Sequence, residues 1–131
     1  MFLIHSIDKG GVIPWEKRPV AAITPKIGMA LVENADGNLA IATGTTKPTY
    51  ICMVEKSAAC SAGELIPVIR VNEGVVFETS FSASASSIKL GNKVTLHASS
   101  GMQVTATTTS GVAEVVYMDG TAEGSMCRVR F

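Results

Sequence analysis

Along much of the chain apolar and polar residues alternate with a period of two, and glycine-containing turns interrupt the alternation. Over residues 93–98, Val94, Leu96 and Ala98 fall on one side, opposite Thr95 and His97. Over 102–107, Met102, Val104 and Ala106 oppose Gln103, Thr105 and Thr107, and at the C-terminal end Cys127, Val129 and Phe131 alternate with Arg128 and Arg130. Strands of this pattern bury one face and wet the other. Residues 50–55 and 65–71 are more continuously apolar, as expected of strands covered on both faces. Five prolines (Pro14, Pro19, Pro25, Pro48 and Pro67) scattered through the first half leave no room for a long helix. The best helical stretch, 55–64, is rich in Ser, Cys and Gly and predicts one or two turns at most.

Turn chemistry agrees with the strand pattern. Asp36-Gly37, Ser100-Gly101 and Asp119-Gly120 each separate apolar alternating runs, where glycine accepts the positive φ of a tight hairpin. Gly37, Gly63, Gly101 and Gly124 are the expected structural turn positions. The order of glycine, strand, glycine turn, strand, loop, strand, glycine, strand occurs once from Gly28 to Val68 and again from Gly91 to Val129. The expectation is an all-β fold, a small barrel or sandwich of two similar four-stranded units within one compact domain. Its parts are an N-terminal arm (1–14), a first unit with a crossing strand (15–80) and a second unit (81–131). Gly10-Gly11 would hinge the arm, and residues 77–87, FETSFSASASS, would form a linker or crossing edge strand.

Composition removes several functions. Lys and Arg total 11 against 11 Asp and Glu, so the chain lacks the excess positive charge that attracts nucleic acid phosphates. Aromatic residues are 5%, too few for a base-stacking platform. With 47% hydrophobic and 17% charged residues, the chain is a folding sequence and not a disordered one. No apolar run reaches eighteen residues, so no membrane span is expected, and residues 1–7 lack the layout of a signal peptide. Cys52, Cys60 and Cys127 are odd in number and show no CxxC spacing, which favours reduced, buried thiols over a disulfide framework or zinc site.

Candidate chemistry is sparse. Neither His5 nor His97 is placed by sequence beside a cysteine, so no thiol–imidazole pair is expected. The acids fall in hairpin turns or at separate strand ends, where solvation is the ordinary role. Gly44-Thr45-Thr46-Lys47-Pro48 is not a phosphate loop: Ile41 stands at the first glycine position, Thr46 precedes the lysine and Pro48 follows it. No metal, cofactor or catalytic residue is expected. The Thr-rich stretch 104–110 fits β-branched strand formation. The segment that stands out is the apolar N-terminus with Trp15, Lys17 and Arg18 after it. Two compatible readings fit. Either the segment is an edge strand packing Trp15 on the barrel, or Met1, Phe2, Leu3, Ile4, Ile7, Trp15, Lys17 and Arg18 contact a partner.

Thr24-Pro25-Lys26-Ile27-Gly28-Met29-Ala30-Leu31, then Asp36-Gly37-Asn38-Leu39, then Pro48-Thr49-Tyr50-Ile51 and finally 62–68 form an order that resembles the capsid decoration (head-stabilising) proteins of tailed bacteriophages, of lambda type or related small β-barrel head proteins. The resemblance covers about residues 19–80 and repeats less regularly over 88–131. It implies a non-enzymatic virion protein, made in the host cytoplasm, that sits on the outside of the head and bridges neighbouring subunits of the major capsid protein, often as a homotrimer. Two departures stand against a direct transfer: the long second half, and an apolar arm where the lambda-type arm is polar and contains proline. The competing expectation is a small β-sheet module for a small ligand or glycan.

Overall fold

Short β-branched runs bounded by glycine and proline become ten strands and no α-helix in the computed structural model, which describes residues 1–8 and 11–131. The strands are β1 (Leu3–Ile7), β2 (Trp15–Val20), β3 (Ala30–Glu33), β4 (Leu39–Ile41), β5 (Tyr50–Cys52), β6 (Glu64–Arg70), β7 (Val75–Ser80), β8 (Lys93–Val94), β9 (Ala113–Met118) and β10 (Met126–Arg130). Five of them close a barrel in the order β2-β4-β3-β5-β6, and the others form a sheet in the order β1-β7-β10-β9-β8. The all-β class, expected as a small barrel or sandwich, is therefore what the chain adopts, as a closed barrel and a second sheet. Among the described residues no helix is long and apolar enough to cross a membrane.

The barrel fills its interior with Val20, Leu31, Leu39, Tyr50, Cys52, Ile66 and Val68. A second core lies between barrel and sheet, where Phe77, Val115, Val129 and Phe131 meet Ala30, Ala42 and Ile51 from the outside of the barrel. This explains why residues 50–52 read as continuously apolar: Tyr50 and Cys52 point into the barrel while Ile51 enters the shared core, and all three are buried. Full burial of a side chain such as Ile51 contributes about 1.5–3 kcal/mol. Gly101 presses the two units together, with its carbonyl accepting from the Ala30 N–H at 2.7 Å. A Cβ there would lie 2.7 Å from the Ala42 carbonyl oxygen. Gly37, Gly63, Gly101 and Gly124 all have positive φ, between 58° and 86°.

The two units differ from the expected pair of four-stranded repeats. Each has five strands, and the sheet takes β1 and β7 from the part of the sequence assigned to the arm and first unit. The run 77–87 is not an edge: β7 lies between β1 and β10, with Phe77 fully buried. Over 93–98 and 102–107 the alternation is kept only in part: Val94, Leu96 and Val104 are buried, but so is Thr95, Ala98 is exposed, and only Lys93–Val94 forms a ladder strand. The reason is that backbone groups there find irregular partners. The Leu96 N–H donates to the Gly44 carbonyl in the barrel unit, and the Val104 N–H donates to the Ser80 carbonyl.

The N-terminal segment is also used differently from an arm. β1 pairs antiparallel with β7, and β2 pairs antiparallel with β6. The Asp8 N–H donates to the Gly74 carbonyl and the Arg70 N–H to the Pro14 carbonyl, so β1 and β2 track β7 and β6 across both units. Phe2 is fully buried in the shared core, and its N–H donates to the Gly28 carbonyl at 2.9 Å. Of the expected hinge, Gly10 lies outside the described residues and Gly11 is exposed.

Candidate interaction surface

In an antiparallel pair, residues directly opposite share a face. On β2 and β6 the opposed pairs Trp15–Ile69, Lys17–Pro67 and Pro19–Leu65 point outward from the barrel. Ile69 is buried, whereas Trp15 is 55% and Leu65 60% exposed, and Lys17 lies between them, also exposed. Pro19 and Pro67 are half-buried and complete the strip. Just before Trp15 in the chain, Val12 is 91% and Ile13 37% exposed. The result is an uncovered, mostly apolar strip on a closed, rigid barrel, with one cation in it. Because the barrel is closed, this face has no free strand edge, so a partner meets side chains and not a backbone template.

The alternate residues of β2 point the other way. Glu16 and Arg18 share the inner face with Val68 and Ile66 and cap one end of the barrel. Arg18 pairs with Glu33, and Arg70 Nε donates to Glu16 Oε1 at 2.5 Å. The Tyr50 ring lies between the two guanidiniums, 5.3 Å from Arg18 and 5.4 Å from Arg70. The hydrogen bond from Arg70 holds the Glu16 carboxyl below its ordinary range, and the same hydrogen bond raises Arg70. Arg18 is therefore committed to the barrel cap, a correction to its grouping with Trp15 and Lys17.

The remaining expected partner residues separate in the same manner. Phe2 is enclosed, and Ile4 and Ile7 pack half-buried against the shared core, so these three serve the chain's own fold. Leu3, opposite Glu78 on the outer face of the sheet, is 43% exposed. That outer face is polar: Glu78 accepts from Arg128 Nε at 3.3 Å and faces His5 at 3.7 Å, and Arg128 covers the Tyr117 ring at 4.5 Å. Leu65 is the surface residue that sequence reasoning missed. The continuous apolar run 65–71 predicts cover on both faces, which fails at Leu65: the β2–β6 register turns it outward opposite Pro19, on the same face as Trp15.

The three thiols are free and buried. Burial pushes the Cys127 thiol up to about 12, with the Asp119 charge adding to it, and burial also raises Cys52 and Cys60. His97 Nδ1 lies 3.1 Å from the Ser100 hydroxyl. Among the described residues no three His, Cys, Asp or Glu side chains gather to hold a metal ion. Compared with known proteins, the chain matches no family model, and no curated protein matches it either.

Proposed function

We propose that the chain is a non-enzymatic structural protein of a tailed-phage particle that binds the outside of the assembled head and stabilises it by bridging neighbouring capsid subunits. The observation that carries this reading is the outward strip on β2 and β6, where Trp15 and Leu65, four residues apart along the ladder, are 55% and 60% exposed on one face of a closed barrel. Large apolar side chains grouped on a rigid surface mark contact sites, and tryptophan is the residue that most often anchors them. Lys17 supplies a single charge that fixes orientation. The order of turns and strands from Pro19 to Ser80 is the second support, through its resemblance to head decoration proteins.

The physical mechanism needs no reaction. A domain that binds the assembled lattice, and not the free subunits, shifts the equilibrium toward the lattice by mass action. A homo-oligomer, a trimer by the same resemblance, would hold several capsomers at once, so modest single contacts add to a long-lived attachment. The test uses heads assembled from the major capsid protein encoded in the same genome. Added chain is expected to bind in a fixed ratio to capsomers and to raise the temperature at which the heads rupture. Heads that bind none of it, or rupture at an unchanged temperature when saturated, overturn the proposal.

A further inference from the structure

Away from the Trp15 strip, at the end of the second sheet near the turn that joins the units, lies a cleft of about 450 Å³. That volume is in the range of small-molecule sites, which often form where two structural units meet. Its walls come from both units: Lys47 from the barrel, Glu73 from the connecting turn, and Lys93, Glu114, Arg130 and Phe131 from the sheet side.

The register orders the charges. Lys93 stands opposite Glu114, and Glu114 opposite Arg130, so β8, β9 and β10 present cation, anion, cation on one face. Neighbouring strands lie about 4.8 Å apart, which puts the two cationic positions roughly 10 Å from each other. Arg130 is held in place by Asp8, whose Oδ2 accepts from Nη2 at 2.8 Å. Lys47, Glu73, Lys93 and Glu114 form no ion pair among the described residues. With Asp8 counted on Arg130, three cations face three acids, and Lys47 and Lys93 are the two cations of the cleft without an ion-pair partner among the described residues.

We propose that this cleft binds a small zwitterionic dicarboxylate, the chemistry of an acidic amino acid. One carboxylate meets Lys93 and the other meets Arg130, while the ammonium group lies over Glu114. Lys47 adds a further cation to the lining, and Val112 an apolar side chain. A plain dicarboxylate satisfies both cations but sets no charge against Glu114. A monocarboxylate amino acid leaves one cation unmatched.

Calorimetric or NMR titration of the full chain at low salt tests this with three probes: L-glutamate, glutarate and L-glutamine. L-glutamate is expected to bind saturably, with each of the other two about tenfold weaker, the worth of one charge-assisted hydrogen bond. Glu114→Gln should erase the preference for L-glutamate over glutarate, and Lys93→Gln should weaken both about tenfold. Lys93 and Glu114 make no ion pair, so thermal unfolding of these two variants should match the wild type and separate binding from folding. No saturable binding of L-glutamate overturns the proposal. So does equal binding of all three probes, or an unchanged preference in Glu114→Gln.

Discussion

Phe2 and Phe131, from opposite ends of the sequence, meet edge to face with ring centroids 5.3 Å apart and planes at 70°. Phe131 also leans on Phe77 of the central strand β7 at 5.7 Å. The N-terminal segment is thus part of the core between sheet and barrel. Phe2→Ala should cost about 3–5 kcal/mol by chemical denaturation, the range for emptying a buried aromatic site. Deleting residues 1–8 should abolish the cooperative unfolding transition, because it removes β1 and Phe2 together.

Two glycines with nearly equal φ separate backbone strain from crowding. Gly28 (φ +75°) would place a Cβ 2.6 Å from the Phe2 backbone nitrogen, whereas Gly37 (φ +76°) has nothing within 4 Å. Gly37→Ala should cost only the left-handed backbone penalty, about 1–2 kcal/mol. Gly28→Ala should cost clearly more, because a backbone atom must shift as well. Paired denaturation curves check the difference.

Cys127 sets an alkaline limit. Its thiol stays protonated in the fold until about pH 12, against an ordinary value of 9.0, because burial disfavours the thiolate. The raised value makes its contribution complete below pH 9, and the contribution is lost as pH rises from 9 towards 12. Stability should therefore fall over that window by at most about 1.4 kcal/mol per pH unit for this group. Cys127→Ala should start less stable at pH 8 but show a shallower alkaline decline. At pH 8 the native chain should react with a thiol reagent only as fast as it opens.

Glu16 gives the opposite dependence. Its carboxyl is held below 4.5 by the Arg70 hydrogen bond, so its contribution is present above that pH and is lost as pH falls through the lowered value. Glu16→Gln should lower stability slightly at pH 7 and flatten the acid limb below pH 4.5. Urea midpoints measured from pH 3 to pH 7 follow both effects.

The strand class and the turns at Gly37, Gly63, Gly101 and Gly124 were legible because period-two alternation and glycine turn chemistry are local, whereas Gly120 lacks the positive φ expected of it. Val94, Leu96 and Val104 are buried, as their alternation implies, although the ladder around them is irregular. The partnership of strands was not legible. Nothing local states that β7 sits between β1 and β10, or that Leu96 donates its N–H to Gly44 in the other unit. The same gap governed the surface. Trp15, Lys17 and Arg18 are close enough in sequence to look like one patch, but alternation sends Arg18 to the Tyr50 cap, and only the register brings Leu65 onto the same face as Trp15 and Lys17.

The strip on β2 and β6 is tested most directly by co-sedimentation of the chain with heads assembled from the capsid protein of the same genome, comparing wild type with Trp15→Ser and Leu65→Ser. Wild-type protein should pellet with the heads. Each variant should lose about 2 kcal/mol or more of binding, as anchors at a contact centre do, while its unfolding free energy stays within about 0.5 kcal/mol of wild type, as for an exposed site. Variants that unfold like wild type and pellet equally well would contradict the assignment of this face, and wild-type protein left in the supernatant would contradict the capsid role itself.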